Sequence, residues 1–279
     1  MSSVEIAAGK HGPRAVLHAP WSGEAEEAVR RAGARELELN LAKGWRGSDL
    51  SFLARIPPLL AIEVLDGALE DDSGIHAQRG LRSIHLDTYA ENELRLDELP
   101  DLESVSLNWR RKAQSLFRCV QIRELHLNGY DAPTAAQIGV FIRLESLALM
   151  SARFQDLRGF EPLAALRRLR LGNCRKLRSL DGIEGLAALE ELEVNTAPRL
   201  GSIEALAGLS RLRKLDLNDC GRIPSLAPIA NLSQLEHVVF YGSTCILDGD
   251  LSPLAALRRL RRTSFMDRKH YSHRRDEFG

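Results

Sequence analysis

Residues 166–234 carry one apolar pattern written three times in nearly the same form, and that repetition decides what the chain can fold into. The first copy runs Leu166, Leu169, Leu171, Cys174, Leu177, Leu180, Ile183, Leu186. The second runs Leu189, Leu192, Val194, Ala197, Leu200, Ile203, Leu206, Leu209, and the third Leu212, Leu215, Leu217, Cys220, Ile223, Leu226, Ile229, Leu232. Each copy begins 23 residues after the one before. Inside a copy, Leu169 and Leu171 are spaced by two, which suits a short strand with one buried face. After Cys174, Ala197 or Cys220 the spacing becomes three. That period favours 3₁₀ turns or tight extended segments over an α-helix, whose stripe alternates three and four. One copy cannot bury its leucines alone. Copies must stack into a parallel sheet over a continuous core, with stability drawn from neighbour interfaces.

A period in the twenties with the L-x-x-L-x-L-x-x-(N/C) core resembles the leucine-rich-repeat family, in its short internalin-like or SDS22-like form. The resemblance implies an α/β solenoid: a horseshoe with a parallel sheet on its concave side and 3₁₀ or short helical turns on its convex side. Eleven repeats are expected, beginning at Ala34, Leu59, Leu81, Leu102, Ile122, Leu144, Leu166, Leu189, Leu212, Leu235 and Leu260. The expected organisation is therefore an N-terminal cap over residues 1–33, repeats over 34–265 and a capping tail over 266–279. Residues 1–20 show no clear pattern and are expected to cover one open end. Ser22 reads as a helix N-cap. Acidic Glu24, Glu26 and Glu27 follow it, Arg30 and Arg31 sit in the last turn, and Gly33 is the stop. The first strand is expected at residues 35–39. The 243–251 turn and the 270–273 tail resemble those of bacterial cytosolic leucine-rich-repeat proteins, and that resemblance carries no activity.

Lys and Arg number 38, as do Asp and Glu, a balance that argues against a nucleic-acid protein relying on bulk positive charge. No run approaches 18 consecutive apolar residues, so no membrane span is expected. The opening residues lack the basic-then-apolar profile of a secretory signal, which predicts a cytoplasmic protein. Cys174 and Cys220 hold one slot in repeats two apart, so their backbones should lie roughly 10 Å apart. A disulfide needs Cα atoms closer than about 7 Å. Both cysteines, with Cys119 and Cys245, read as small buried side chains.

Strand residues alternate between core and concave face, so the exposed columns can be read one strand at a time. Repeats seven to nine place Arg168 beside Glu191 and Arg170 beside Glu193. That pattern reads as a cross-strand charge ladder in preference to a phosphate site. In repeats three to six charge thins out. The exposed residues become His85, Asp87 and Thr88, then Ser104, Ser106, Asn108 and Trp109, then His126, Asn128 and Tyr130, and finally Ser146, Ala148 and Met150. An exposed Trp among adaptable hydrogen-bonding groups is what a binding hot spot uses. The competing reading has Trp109 fold over a short irregular repeat and Asn108 and Asn128 cap strand ends. The candidate partner-binding set is His85, Asp87, Asn108, Trp109, His126, Asn128, Tyr130 and Met150.

Catalysis finds no support in the motifs. Gly-rich phosphate loop, Gly-x-Ser-x-Gly elbow, His-Glu-x-x-His and Cys-x-x-Cys are all missing. His85 and His126 stand two strands apart, roughly 10 Å, too far to share one zinc ion. Asp248, Asp250, His270 and His273 fall at matching offsets of the last two repeats. They read as a cap closing the sheet end in preference to a metal site. The expected function is a non-enzymatic, monomeric protein-binding module without cofactor or metal: an adaptor, sensor or immunity-type inhibitor. The alternative is a ligand- or RNA-binding receptor using the patch around Trp109 and Tyr130.

Overall fold

The computed structural model describes residues 3–278, which form two compact units divided between Leu127 and Asn128. Unit 1 opens with strands β1 (Val4–Gly9) and β2 (Gly12–Leu17), followed by helix α1 (Gly23–Arg31). Short strands follow at the repeat period: β3 (Glu36–Asn40), β4 (Ala61–Leu65), β5 (Ser83–Asp87), β6 (Ser104–Asn108) and β7 (Glu124–Asn128), the last of which ends at the division. Unit 2 continues with β8 (Ser146–Met150), β9 (Arg168–Gly172), β10 (Glu191–Asn195), β11 (Lys214–Asn218), β12 (Arg222–Ile223), β13 (His237–Phe240), β14 (Cys245–Ile246), helix α2 (Ser252–Ala255) and β15 (Arg262–Phe265).

The register is the one that the leucine spacing demands. In unit 1, Ala15, Leu37, Ile62, Ile84 and Val105 stand side by side on β2 to β6. In unit 2, Leu147, Leu169, Leu192, Leu215, Val238 and Thr263 do so on β8 to β15. Both ladders are parallel, and burial alternates along β4 to β8 and along β10, β11 and β13, so one sheet face there meets the core and the other stays open, whereas on β3 Glu36 and Glu38 are buried as well. Behind the strands, 3₁₀ turns such as Ser73–Ala77 and Glu204–Leu206 bury Ile75 and Leu206. The period of three therefore folds as 3₁₀ turns, as expected.

The beginning of the chain differs from expectation. Residues 4–17 form an antiparallel hairpin, and β2 then pairs parallel with β3. The strand at Glu36–Asn40 is thus the third and not the first. Lys10 and His11 form the two-residue loop between paired Gly9 and Gly12, and Gly12 sits at φ +129°, a conformation open to glycine. Helix α1 forms where expected: Ser22 Oγ accepts from the Ala25 N–H at 3.2 Å, and Ala25 and Val29 are buried.

A left-handed residue follows each strand from β7 to β11 directly, and β13 after one intervening residue. Gly129, Ser151, Asn173, Thr196, Asp219 and Gly242 all have φ between 53° and 77°. The first five donate their N–H to a carbonyl of the next repeat, at Met150, Gly172, Asn195, Asn218 and Tyr241, over 2.7–3.1 Å. This bond ends the strand and turns the next side chain into the core. Ala152, Cys174, Ala197 and Cys220 all enter there, and all are buried.

Candidate protein-binding surface

The open sheet face of unit 1 is built from two columns. One contains Ala61, Ser83 and Ser104; the other contains Glu63, His85 and Ser106. His126 continues the second column, its Nδ1 3.2 Å from Ser106 Oγ. At the N-terminal end, Arg14 bonds Glu36 at 2.9 Å and Glu63 at 3.4 Å, and Lys43 meets Glu38 at 2.6 Å. The His85 Nδ1–H donates to Glu63 Oε1 at 3.1 Å. That bond, against an opposing effect of burial, holds the Glu63 carboxyl below its ordinary range, with help from Arg14 and Lys43. Glu36 is only 1% exposed. A Cβ on Gly9 would collide with its carboxylate, so glycine there lets the hairpin close over it. The shallow groove above these columns holds about 270 Å³.

Beside this face, the turns after β5 and β6 enclose a cleft of about 310 Å³ lined by Tyr89, Asn108, Trp109, Arg110, Arg111 and Lys112. Its walls are fixed from below. Buried Asp72 accepts from Arg110 Nη2 at 2.6 Å and from Thr88 Oγ1 at 2.9 Å. Trp109 is half-buried, its ring 5.5 Å from Phe117, and Tyr89 is 71% exposed. Asp87 is exposed and accepts from Asn108 Nδ2 at 2.6 Å. His85, Asp87, Asn108, Trp109 and His126 all lie in unit 1, on its open face or in the adjoining turns. Tyr89 lines the same cleft and was missed: it lies two residues beyond the end of β5, where the period of two through His85 and Asp87 still holds.

Two expectations need correction. Thr88 is buried, because its hydroxyl serves Asp72. Tyr130 is 0% exposed: the left-handed turn at Gly129 sends its ring into the core slot that Cys174 and Cys220 fill in later repeats. Its hydroxyl donates to Gln137 Oε1 at 3.2 Å. The other two candidates in unit 2 remain accessible. Asn128 is exposed, and half-buried Met150 lies across Gly172, where a Cβ would collide with its thioether.

Paired charge lies on the open face of β9 to β11, while Ser146 and Ala148 on β8 and Val239 on β13 carry none. Arg170 meets Glu193 at 2.8 Å, Glu193 is also bonded by Lys214, and Lys214 meets Asp216 at 3.3 Å. Along the rim, Arg167 pairs with Glu190 at 3.1 Å and Arg213 with Glu236 at 3.0 Å. At the C-terminal end, Asp248 and Asp250 accept from the backbone N–H groups of Asp250 and Ser252. The His270 Nε2–H donates to the Ile246 carbonyl at 2.9 Å, and Tyr271 Oη accepts from the Ile246 N–H at 3.0 Å. These bonds tie the tail to β14 and close the turn at residues 248–252. Among the described residues no group of three or more His, Cys, Asp or Glu side chains is placed to hold a metal ion. All four cysteines are free thiols. Cys245 is half-buried, more open than expected, and its Sγ lies 3.9 Å from His270 Nε2.

No protein-family model matches this sequence, and comparison with curated proteins finds no match. Solved structures do match. An internalin C2 from Listeria monocytogenes is 21% identical, with 68% of this chain and 84% of that chain covered and a TM-score of 0.57. An internalin (inlF) from the same organism is 17% identical over 92% of this chain and 83% of that one, with a TM-score of 0.62. A leucine-rich-repeat protein from Leptospira interrogans is 14% identical over 89% and 65%, with a TM-score of 0.64. At such identities the likeness speaks for the fold, and it agrees with the parallel ladders, the 3₁₀ turns and the repeat spacing. The chain has the leucine-rich-repeat fold.

Proposed function

We propose that this chain is a non-enzymatic protein-binding scaffold that recognises its partner through the open sheet face and adjoining cleft of unit 1. The observation that carries this reading is the change in surface chemistry. The unit 2 face carries the ion pairs of Arg170, Glu193, Lys214 and Asp216 at its middle, which cost desolvation when covered, whereas those of unit 1 gather at its N-terminal end around Arg14 and Lys43. The unit 1 face offers Ser83, Ser104, Ser106, His85 and His126, next to a cleft walled by Tyr89 and Trp109. Short hydroxyls and rings on rigid strands bury interface with little ordering cost. Half-buried Trp beside Arg is the chemistry of an interface hot spot. An adaptor, a sensor or an immunity-type inhibitor could each work from such a face. A monomer acting in the cytoplasm belongs to the same proposal, supported by four free thiols.

The test is alanine substitution in an isolated complex. Trp109→Ala should weaken binding by about 2 kcal/mol or more with folding intact, and the double change His85→Ala, His126→Ala should weaken it further. Normal binding by both variants would move the footprint elsewhere. The cleft also supports a second reading as a small-ligand receptor, since its volume lies at the lower end of ligand pockets. A saturable small-molecule signal lost in Tyr89→Ala, with no protein partner, would favour that reading.

A further inference from the structure

The arginines of the rim end in a way that predicts the chemistry of a second partner. Just before each strand of unit 2 the chain places one residue of a rim column: Glu145, Arg167, Glu190, Arg213, Glu236, Arg261. Sign alternates at every step. From Arg167 to Glu236 the carbonyl of each accepts two N–H groups from the start of the next repeat, so the column is held in register. Arg167 finds its carboxylate on Glu190, one repeat onward, and Arg213 binds both carboxylate oxygens of Glu236, again one repeat onward. Arg261 is the next arginine in the series; its charge reaches Glu236 of the preceding repeat, and among the described residues no strand pairs beyond β15 to place a carboxylate on its other side.

This break coincides with a concentration of positive charge. Eight of the 38 Lys and Arg residues, but only three of the 38 Asp and Glu, fall within residues 257–279. A chain with no net charge is therefore strongly positive at this end. Arg258, Arg259, Arg261, Arg262, Arg274 and Arg275 are all exposed. Among the described residues none of the six forms an ion pair; Arg158, Arg167, Arg170 and Arg213 of the same unit do, while exposed Arg153 and Arg199 do not, so what marks this end is the number of such arginines gathered there. Arg268 differs: its guanidinium bonds the Gly242 and Thr244 carbonyls and belongs to the cap.

We infer that the end of unit 2 around Arg261 and Arg262 docks an acidic segment of a partner protein. Its carboxylates take the place beside Arg261 that Glu190 and Glu236 take beside Arg167 and Arg213. The planar fork of arginine matches a carboxylate through two parallel bonds, as Arg213 shows by donating from Nε to Glu236 Oε1 at 3.3 Å and from Nη2 to Oε2 at 3.2 Å. The surface is distinct from the unit 1 face and does not depend on it.

The test uses the full chain and two probes of equal length, fluorescent octaglutamate and octathymidylate, in 50 mM and 200 mM salt. Octaglutamate should bind saturably and at least as tightly as octathymidylate. Arg261→Glu with Arg262→Glu should weaken it at least tenfold, and the milder pair Arg261→Gln with Arg262→Gln should weaken it in the same direction. Circular dichroism and melting should be unchanged, because both side chains are exposed. Arg153→Glu, an exposed arginine outside the cluster, should leave binding intact. Three results with these probes would overturn the inference: no octaglutamate binding at either salt, equal binding by the charge-reversed variant, or markedly tighter octathymidylate binding lost in that variant. The last outcome would make this a nucleic-acid surface. A salt-sensitive dimer abolished by Arg261→Glu would equally overturn it, with a second copy as the occupant.

Discussion

At the scale of single residues, the left-handed slot after β7 to β11 and β13 decides which side chain enters the core next. The slot is filled by Gly129, Ser151, Asn173, Thr196, Asp219 and Gly242, residue types without a common side-chain chemistry, so no motif announces it. Reading alternation straight through Gly129 put Tyr130 on the surface. The usable signal was Tyr130's place eight residues after Ile122, matching Cys174 after Leu166 and Cys220 after Leu212. Thr196 pays most for the slot, because a β-branched residue is badly placed at φ +60°. Thr196→Gly keeps the N–H bond to Asn218 O and should stabilise unit 2 by about 1 kcal/mol. Asn173→Gly should change little, since Asn visits this region at low cost. Equal urea midpoints for wild type and Thr196→Gly would refute that account of strain. The cysteines give a second residue-scale expectation. Burial pushes the Cys174 thiol up to about 11 and those of Cys119 and Cys220 up to about 12. Alkylation of the native protein should begin at half-buried Cys245, and all four should label after denaturation without reductant.

Among the elements, the strands inside the repeats were legible and the first two were not. The leucine period names β3 to β11 because each must bury the same two columns. The β1 and β2 hairpin lies outside that period, and its only signals were the glycines flanking Lys10 and His11. His76, in the Ser73–Ala77 turn, ties the stability of unit 1 to pH. Its Nε2 accepts from the Arg95 N–H at 2.9 Å, which requires the neutral ring. Burial, then the charge of Arg95, lowers its pKa below the ordinary 6.5. A base lowered in the folded state stabilises fully above its unfolded value, and the contribution is lost as pH falls below it. His18 is shifted upward, chiefly by its hydrogen bond to the Lys43 carbonyl, and acts in the opposite sense at an exposed site. His76→Gln should therefore shrink the loss of stability between pH 7.5 and 5.5. Trp21, Trp45 and Trp109 all lie in unit 1, so urea titration followed by tryptophan emission reads this unit directly. An unchanged pH difference would show that His76 does not carry it.

For the whole molecule, the repeat period was legible because it is a statement about the core, and the core is periodic. The binding surface was legible only in part, since exposed residues owe nothing to the period. His85, Asn108 and His126 could be placed from alternation, whereas Tyr89 and the unpaired end arginines emerge only once the turns and the rim are seen. Periodicity also has an energetic consequence. Leu192 is fully buried between Leu169 and Leu215 in a column that runs across six strands of unit 2. Stability in such a stack is a sum over neighbour interfaces, so one damaged position weakens two interfaces together. Leu192→Ala leaves a cavity and should cost about 3 kcal/mol. Leu192→Asp places a carboxylate where no donor can reach it, and the several kcal/mol involved exceed what the two adjoining interfaces can absorb. The expected result is loss of the unit 2 sheet, read as a reduced far-ultraviolet circular dichroism signal or as insoluble protein. Glu191→Gln, one residue away on the open face, should leave the melting curve nearly unchanged. A Leu192→Asp protein that melts like wild type would mean that the register of β9, β10 and β11 is wrong, and the rim column read from it would fall as well.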